Sequence, residues 1–377
     1  MAGGFAGETA AGALSSGDRA ALDGLRGLAA LIVVASHAGA MGQHWVPGLS
    51  LVGIGKYGVY LFFVLSAFLL TLQWLQWLQA LQAGPLRHSG ARTLAAYLVK
   101  RVMRIYPLYT VVLLAGWMLA PRGLGVPMDG AAVVRHLGLQ EGRDLYWSVP
   151  VEFLFYLVIP PLALWLTAAR LAPVARLLGV VALGAAVYVG WPAPQAPLNS
   201  IALGYYLPVF LAGSLAAWWW QRQGGLADVA GAARPARRAA SWADVLPLAL
   251  LVISVPSVFA AVGWDAGVDG LHRQFAAWGL FWAALLLAML AGRLPLWHRL
   301  LGLRGLRACG HWCFGIYLLH IPALALAGKL PLPGFVKAAL GLAGALLLAA
   351  VAHRLIERPA MRLGQALASR LAPDKGV

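Results

Sequence analysis

Apolar residues in this chain come in blocks of about twenty, separated by short stretches rich in Gly, Pro and basic residues. A helix of about twenty apolar residues spans the ~30 Å hydrocarbon core of a bilayer. Ten such blocks fit the pattern, at about 22–42, 56–80, 102–120, 147–168, 175–191, 200–221, 244–263, 274–292, 311–328 and 335–353. The pattern predicts an all-α fold, a polytopic transmembrane bundle of about ten helices. The polar-leaning stretches near 82–100, 121–146 and 221–243 are loop-sized, so no separate soluble domain is expected. The chain divides into an N-terminal segment (1–21), a transmembrane domain (22–356) and a C-terminal tail (357–377).

Composition agrees with a lipid setting. Hydrophobic residues make up 61% of the chain and charged residues 11%, with a mean hydropathy of +0.76. Soluble domains carry about a quarter charged residues. The charges also orient the bundle. With ten spans and both termini inside, 22 of the 29 Lys and Arg residues fall on the cytoplasmic side. The seven outside are Lys56, Arg122, Arg135, Arg143, Arg273, Lys329 and Lys337. The positive-inside rule therefore favours an N-in, C-in topology. The net charge of +16 follows from this asymmetry and suits a face lying on anionic lipid. No nucleic-acid module interrupts the helices, so DNA or RNA binding is not expected. Residues 1–20 contain Glu8 and Asp18 and lack a basic start before an apolar run, so no cleaved signal is expected.

Ionisable residues inside apolar segments are the candidates for chemistry, because lipid makes them expensive. Arg26 and His37 stand eleven residues apart in LDGLRGLAALIVVASHAGA. Eleven residues is about three turns, which places both side chains on one helix face about 16 Å apart. An arginine near one surface and an imidazole deep inside would hold a charged ligand at the rim with its reactive end reaching inward. Arg101 and Arg104 in KRVMRIYP share a face and offer planar donor forks to a phosphate or pyrophosphate, although snorkelling anchors would look alike. Tyr106-Pro107 predicts a bend. Glu152 is the one acid well inside an apolar run, placed to orient His37 or to neutralise an arginine. Ser66 lies among the small residues Gly58 and Ala67 and would donate to a ligand or to its own i−4 carbonyl.

Other positions read more plainly. His320 in GIYLLHIPAL would line a substrate path or pack as a satisfied histidine. Glu357-Arg358 reads as a helix terminator with a surface ion pair. Cys309 and Cys313 flank His311 at i, i+4 spacing, which a metal or redox pair would need. Packing by two small residues explains them better, and no metal site is predicted.

These motifs together resemble the acyltransferase-3 family of integral membrane acyltransferases. The likeness runs through LDGLRGLAALIVVASH, GVYLFFVLSAF, RVMRIYP, YWSVPVEFLFY, GIYLLHIP and IERPAMR, and so covers most of the chain. Its most specific element is an arginine, ten residues and a histidine. Ala67 departs from the glycine that the family usually has after the serine. The chain ends soon after the last block, as expected of a form without an added esterase-like domain.

The resemblance implies transfer of an acyl group, commonly acetyl from acetyl-CoA, to a hydroxyl of a surface or lipid-linked glycan, in the inner membrane of a bacterium. Some members instead acylate macrolides. No permanently bound cofactor is implied; acyl-CoA is the donor substrate. Arg26, Arg101, Arg104 and Ser66 become its expected contacts, with the phosphates at the cytoplasmic rim. The Arg26–His37 separation is of the order of an extended pantetheine arm. His37 becomes the catalytic imidazole, as a general base or as a transient acyl carrier, with Glu152 or Ser66 setting its tautomer. The competing class is a transporter or flippase that uses buried Arg26, His37 and Glu152 as a relay.

Overall fold

The computed structural model describes residues 14–46, 48–83, 90–223, 242–263 and 267–371. Arg87, Arg234, Arg237, Arg238 and Lys375 of the expected cytoplasmic set lie outside the described residues. The described chain is all-α, without a named strand.

Helix α1 (Ser16–Ala40) starts at a capping box. The Ser15 hydroxyl accepts from the Asp18 amide at 3.1 Å, and the Asp18 carboxylate accepts from the Ser15 amide at 3.1 Å. Two amides that a helix start would leave open are thereby satisfied. Helix α2 (Gly55–Ala83) then runs back along α1. Gly55 abuts Ser36 and His37, and Gly58 abuts Ala29 and Val33, so the two are antiparallel. A Cβ on Gly58 would collide with the Ala29 carbonyl. In a bilayer such small residues set how closely helices approach.

Helix α3 (Gly90–Leu119) begins a dozen residues before the apolar block at 102, because Ala96 and Tyr97 already bury a face there. It continues through Pro107 without a break. A short helix α4 (Gly130–Leu137) precedes α5 (Ser148–Thr167), α6 (Pro173–Gly190) and α7 (Leu203–Arg222). Helices α2, α5 and α7 meet over stacked rings: Phe63 on Phe210 at 4.4 Å and Phe155 on Phe210 at 4.1 Å. Trp147 is buried beside Phe63 and Tyr206. Helix α6 exposes Leu178, Val181, Leu183, Tyr188 and Val189, as a lipid-facing helix does.

The expected span 244–263 is not one helix. Helix α8 (Trp242–Ile253) ends before Pro256, and α9 (Pro256–Ala261) is a separate turn. Val255, preceding the proline, is extended, which stops a helix. At 12 residues α8 is about 18 Å long, short of the hydrocarbon core. A short α10 (Gly267–His272) leads into α11 (Phe275–Leu290). Helices α12 (Pro295–Leu301) and α13 (Arg304–His311) form an elbow under α1. Helix α12 is bent 93° from α11, and α13 is bent 84° from α14 (Cys313–Gly328). Gly24 and Gly310 admit this elbow: a Cβ on either would fall on the backbone of Leu301 or Asp23.

Helix α15 (Gly334–Ala352) passes through a π-turn at His353–Glu357 into α16 (Arg358–Leu371). The expected tail is therefore helical as far as Leu371, with Gly364 seated on Met103 of α3. Among the described residues six helices are long and apolar enough to cross a membrane, or eight if each bent pair counts as one span. Helix α7 has the length, but its five Trp and Tyr residues keep its hydropathy below that group. The result is a multi-pass helical membrane protein.

Candidate active site

His37 is held near the far end of α1 by hydrogen bonds whose roles can be assigned. Inside α14, the carbonyls of Tyr317 and Ile316 lie 2.7 and 3.1 Å from His320 Nδ1. Carbonyls only accept, so Nδ1 of His320 carries a proton and its Nε2 is a lone pair. That lone pair faces His37 Nδ1 at 3.1 Å. His37 Nδ1 must then be the donor, shared between His320 Nε2 and the Val33 carbonyl at 3.0 Å. The remaining ring nitrogen of His37, Nε2, is left as an unprotonated acceptor with no partner among the described residues. His320 is fully buried and His37 only partly. The inner imidazole therefore positions the outer one, as outer partners of a catalytic or metal-bound histidine fix its tautomer.

A second group of charges gathers nearer the other end of α1. Arg26, Arg104, Glu152 and Glu357 all lie within electrostatic reach of buried Cys313. Arg104 donates to Glu357 at 2.6 Å and touches Met361 sulfur at 3.4 Å. The π-turn aims His353 and Glu357 the same way, with 3.1 Å between His353 Nδ1 and the carboxylate. Such an extra-wide turn redirects side chains out of the regular helical register. The surface ion pair expected of Glu357 with Arg358 is therefore corrected. Glu357 is buried, and its cation is Arg104, 253 residues away.

Glu152 accepts from Ser66 at 2.6 Å and from Tyr156 at 2.8 Å. It does not orient His37, whose Nδ1 is taken by His320 and Val33. The antiparallel pairing explains why. Ser66 stands eight residues beyond Gly58 on α2, about 12 Å further from the His37 end. Ser66 gives its proton to Glu152 and not to its own helix. Arg101 stands 5.9 Å from the ring centres of Tyr97 and Tyr156 and has no ion-pair partner among the described residues. Its Nε is buried without a hydrogen bond. Among the described residues Arg26 has one ion-pair partner, Asp23, at 3.6 Å.

The structure thus joins Ser66 and Tyr156 to Glu152, with Arg101 beside Tyr156, and joins Arg104 to Glu357, while Arg26 pairs with Asp23. His37 is kept apart, on the same helix as Arg26 but three turns on. Cys309 and Cys313 are free, buried and separated by the elbow at Trp312, so they do not share a helix face. They pack with Ala30, Val34 and Ile316.

Two members of the site were not assigned from the sequence: His320 as the partner of His37, and Glu357 as the partner of Arg104. His320 was visible as a polar residue in an apolar span. Glu357 had a weaker signal, its i+4 spacing from His353 at the end of the last block. Neither partner could be chosen from sequence, since each pairing spans more than 250 residues.

A family model described as an acyltransferase domain matches residues 19–354. No curated protein and no solved structure matches the chain. The match contains Arg26, His37, Ser66, Arg101, Arg104, Glu152 and His320 and covers nearly the whole chain, and the protein belongs to the acyltransferase-3 family of membrane acyltransferases.

Proposed function

We propose that this protein moves an acyl group, acetyl by family habit, from cytoplasmic acyl-CoA to a hydroxyl of a surface or lipid-linked glycan, in a bacterial inner membrane. The observation that carries this reading is the hydrogen-bond chain from the Tyr317 carbonyl through His320 to His37, which leaves a lone pair on His37 Nε2. That nitrogen takes the proton of the attacking hydroxyl as its oxygen bonds to the thioester carbon. The carbon–sulfur bond then breaks, and the proton passes from His37 to the departing thiolate. The imidazole ends as it began.

The second group of charges supports the donor side. Its arginines face the phosphates of the nucleotide, Arg101 first because no carboxylate among the described residues forms an ion pair with it. The three turns between Arg26 and His37 match the reach of a pantetheine arm, so the thioester meets His37 while the phosphates stay at the rim. The basic excess of the inner loops supports N-in, C-in placement of the bundle.

Purified protein in detergent, given radiolabelled acetyl-CoA and candidate glycans, tests the proposal. Labelled glycan and released CoA are expected, and both should vanish in His37→Ala while membrane accumulation persists. Normal product from His37→Ala refutes the role of His37. Uptake of a ligand without covalent change refutes the enzyme.

A further inference from the structure

At the His37 end of the bundle lies a small cleft of about 20 Å³ walled by Lys56, Tyr60, Tyr206, His272, Arg273 and Phe275. Its position relative to His37 is fixed by one turn of backbone. The Gly53 amide donates to Ser36 Oγ at 3.1 Å, and the Gly53 carbonyl receives His272 Nε2. Gly55 follows, so placed that a Cβ there would sit 3.8 Å from the His37 ring. Lys56 is the next residue. The cleft is thus next to His37 and on the side away from Arg26.

Its charge is unbalanced. Lys56 donates to Asn199 at 2.8 Å and stands 4.0 Å over the Trp147 ring, but it forms no ion pair among the described residues. Arg273 likewise has no ion pair among them. Asp269 is the one acid in the wall, set against two cations. Asp269 acts on Lys56, so the wall keeps an excess of one positive charge, and an excess cation partly withdrawn from water is costly unless an anion arrives to complete it. Phe275 packs edge to face on Tyr60 and Tyr206, at 5.8 and 5.1 Å between centres, and all three rings are buried in the wall. Volume sets the limit: room for a water-sized group needs ~10–15 Å³. The cleft therefore admits one polar substituent and not a whole sugar ring.

We propose that this cleft is the acceptor's docking subsite and that it holds an anionic substituent of a saccharide, a carboxylate or a phosphate, between Lys56 and Arg273. The proposal rests on the acyl-transfer reading and deepens it. Donor and acceptor would meet His37 from opposite ends of α1. The acceptor is then an acidic or phosphorylated glycan, anchored by its charge while a neighbouring hydroxyl reaches His37 Nε2.

The test compares binding of methyl glucuronide, glucose 1-phosphate and methyl glucoside to the full-length protein in detergent. At least one anionic probe should bind tenfold or more tighter than methyl glucoside, and the stronger of the two tells carboxylate from phosphate. Lys56→Gln and Arg273→Gln should each erode that preference, and Lys56→Arg should keep it, which separates lost charge from lost folding. Equal binding of all three probes, or a preference that survives Lys56→Gln combined with Arg273→Gln, overturns the proposal. Acetyl transfer followed in parallel separates the two readings. Transfer without anion preference removes the subsite, whereas anion preference without transfer removes the enzymatic reading and leaves an anion site.

Discussion

His320 Nε2 lies 3.1 Å from His37 Nδ1, joining two helices 283 residues apart in sequence through a single shared proton. The pair leaves one imidazole buried and fixed and the other with an unpartnered outer nitrogen among the described residues. In the proposed reaction His320 touches no reacting atom and acts by positioning His37.

His320→Leu should therefore lower kcat by about 100-fold, the scale of a misplaced general base, while the KM for acetyl-CoA changes less than threefold. His320→Gln offers an amide oxygen where the lone pair was and should recover much of the loss. Steady-state kinetics on the purified protein check both. A kcat for His320→Leu within threefold of wild type would show that the pair is packing alone.

Arg101 and Arg104 were expected to offer their donor forks together to a phosphate, and the fold gives the two different partners. Arg104 is engaged by Glu357, whereas Arg101 lies 5.9 Å from the rings of Tyr97 and Tyr156 and has no ion pair among the described residues. Arg101→Ala should weaken acetyl-CoA binding about tenfold, as expected for a lost charge-assisted contact. Glycan binding should change little. Arg104→Ala should act more on stability than on affinity. Isothermal titration of CoA against each variant checks the ranking, and the reverse order removes the phosphate role of Arg101.

The Arg104–Glu357 pair closes α3 against the π-turn at 2.6 Å, with the carboxylate fully buried. Removing one partner leaves the other charge without its counter-ion, at a cost of about 3–5 kcal/mol. Glu357→Ala should lower the thermal midpoint by more than the double variant Arg104→Met with Glu357→Met, which buries no charge. A double variant less stable than Glu357→Ala would contradict this account.

Glu141 lies in the loop between α4 and α5, where Arg135 donates to it at 2.7 Å and Arg143 donates to its other oxygen. The Arg135 bond, helped by Arg143 against a slight desolvation, holds its carboxyl below the usual glutamate value. A lowered folded pKa favours folding above the unfolded value, and that contribution is lost as pH falls through the folded one. The loop should keep its shape to below the ordinary glutamate range and loosen only in stronger acid. Proteolysis of residues 138–143 as pH is lowered measures this. In Arg135→Gln the loosening should begin at higher pH, and an unchanged profile would dismiss the link.

Much of this was open to sequence reading because lipid enforces it. Backbone amides have no partner in hydrocarbon except within a helix, so apolar blocks had to become helices and no sheet edge could form there. The same penalty marked Arg26, His37, Arg101, Arg104 and Glu152 as residues with work to do. Spacing along one helix placed Arg26 and His37 on a common face, since the period of a helix is local.

Which charge meets which was settled by tertiary structure. Glu152 took Ser66 and Tyr156 instead of His37, because antiparallel α1 and α2 carry it away from that end. Glu357 took Arg104 because a π-turn swung it inward. The span at 244–263 broke at Pro256, and the span at 311 began instead at an elbow. Partners, depths and bends depend on how helices lean on one another. A hydrophobic pattern records only that each helix must be covered, and the small residues at Gly24, Gly58 and Gly310 decide by which neighbour.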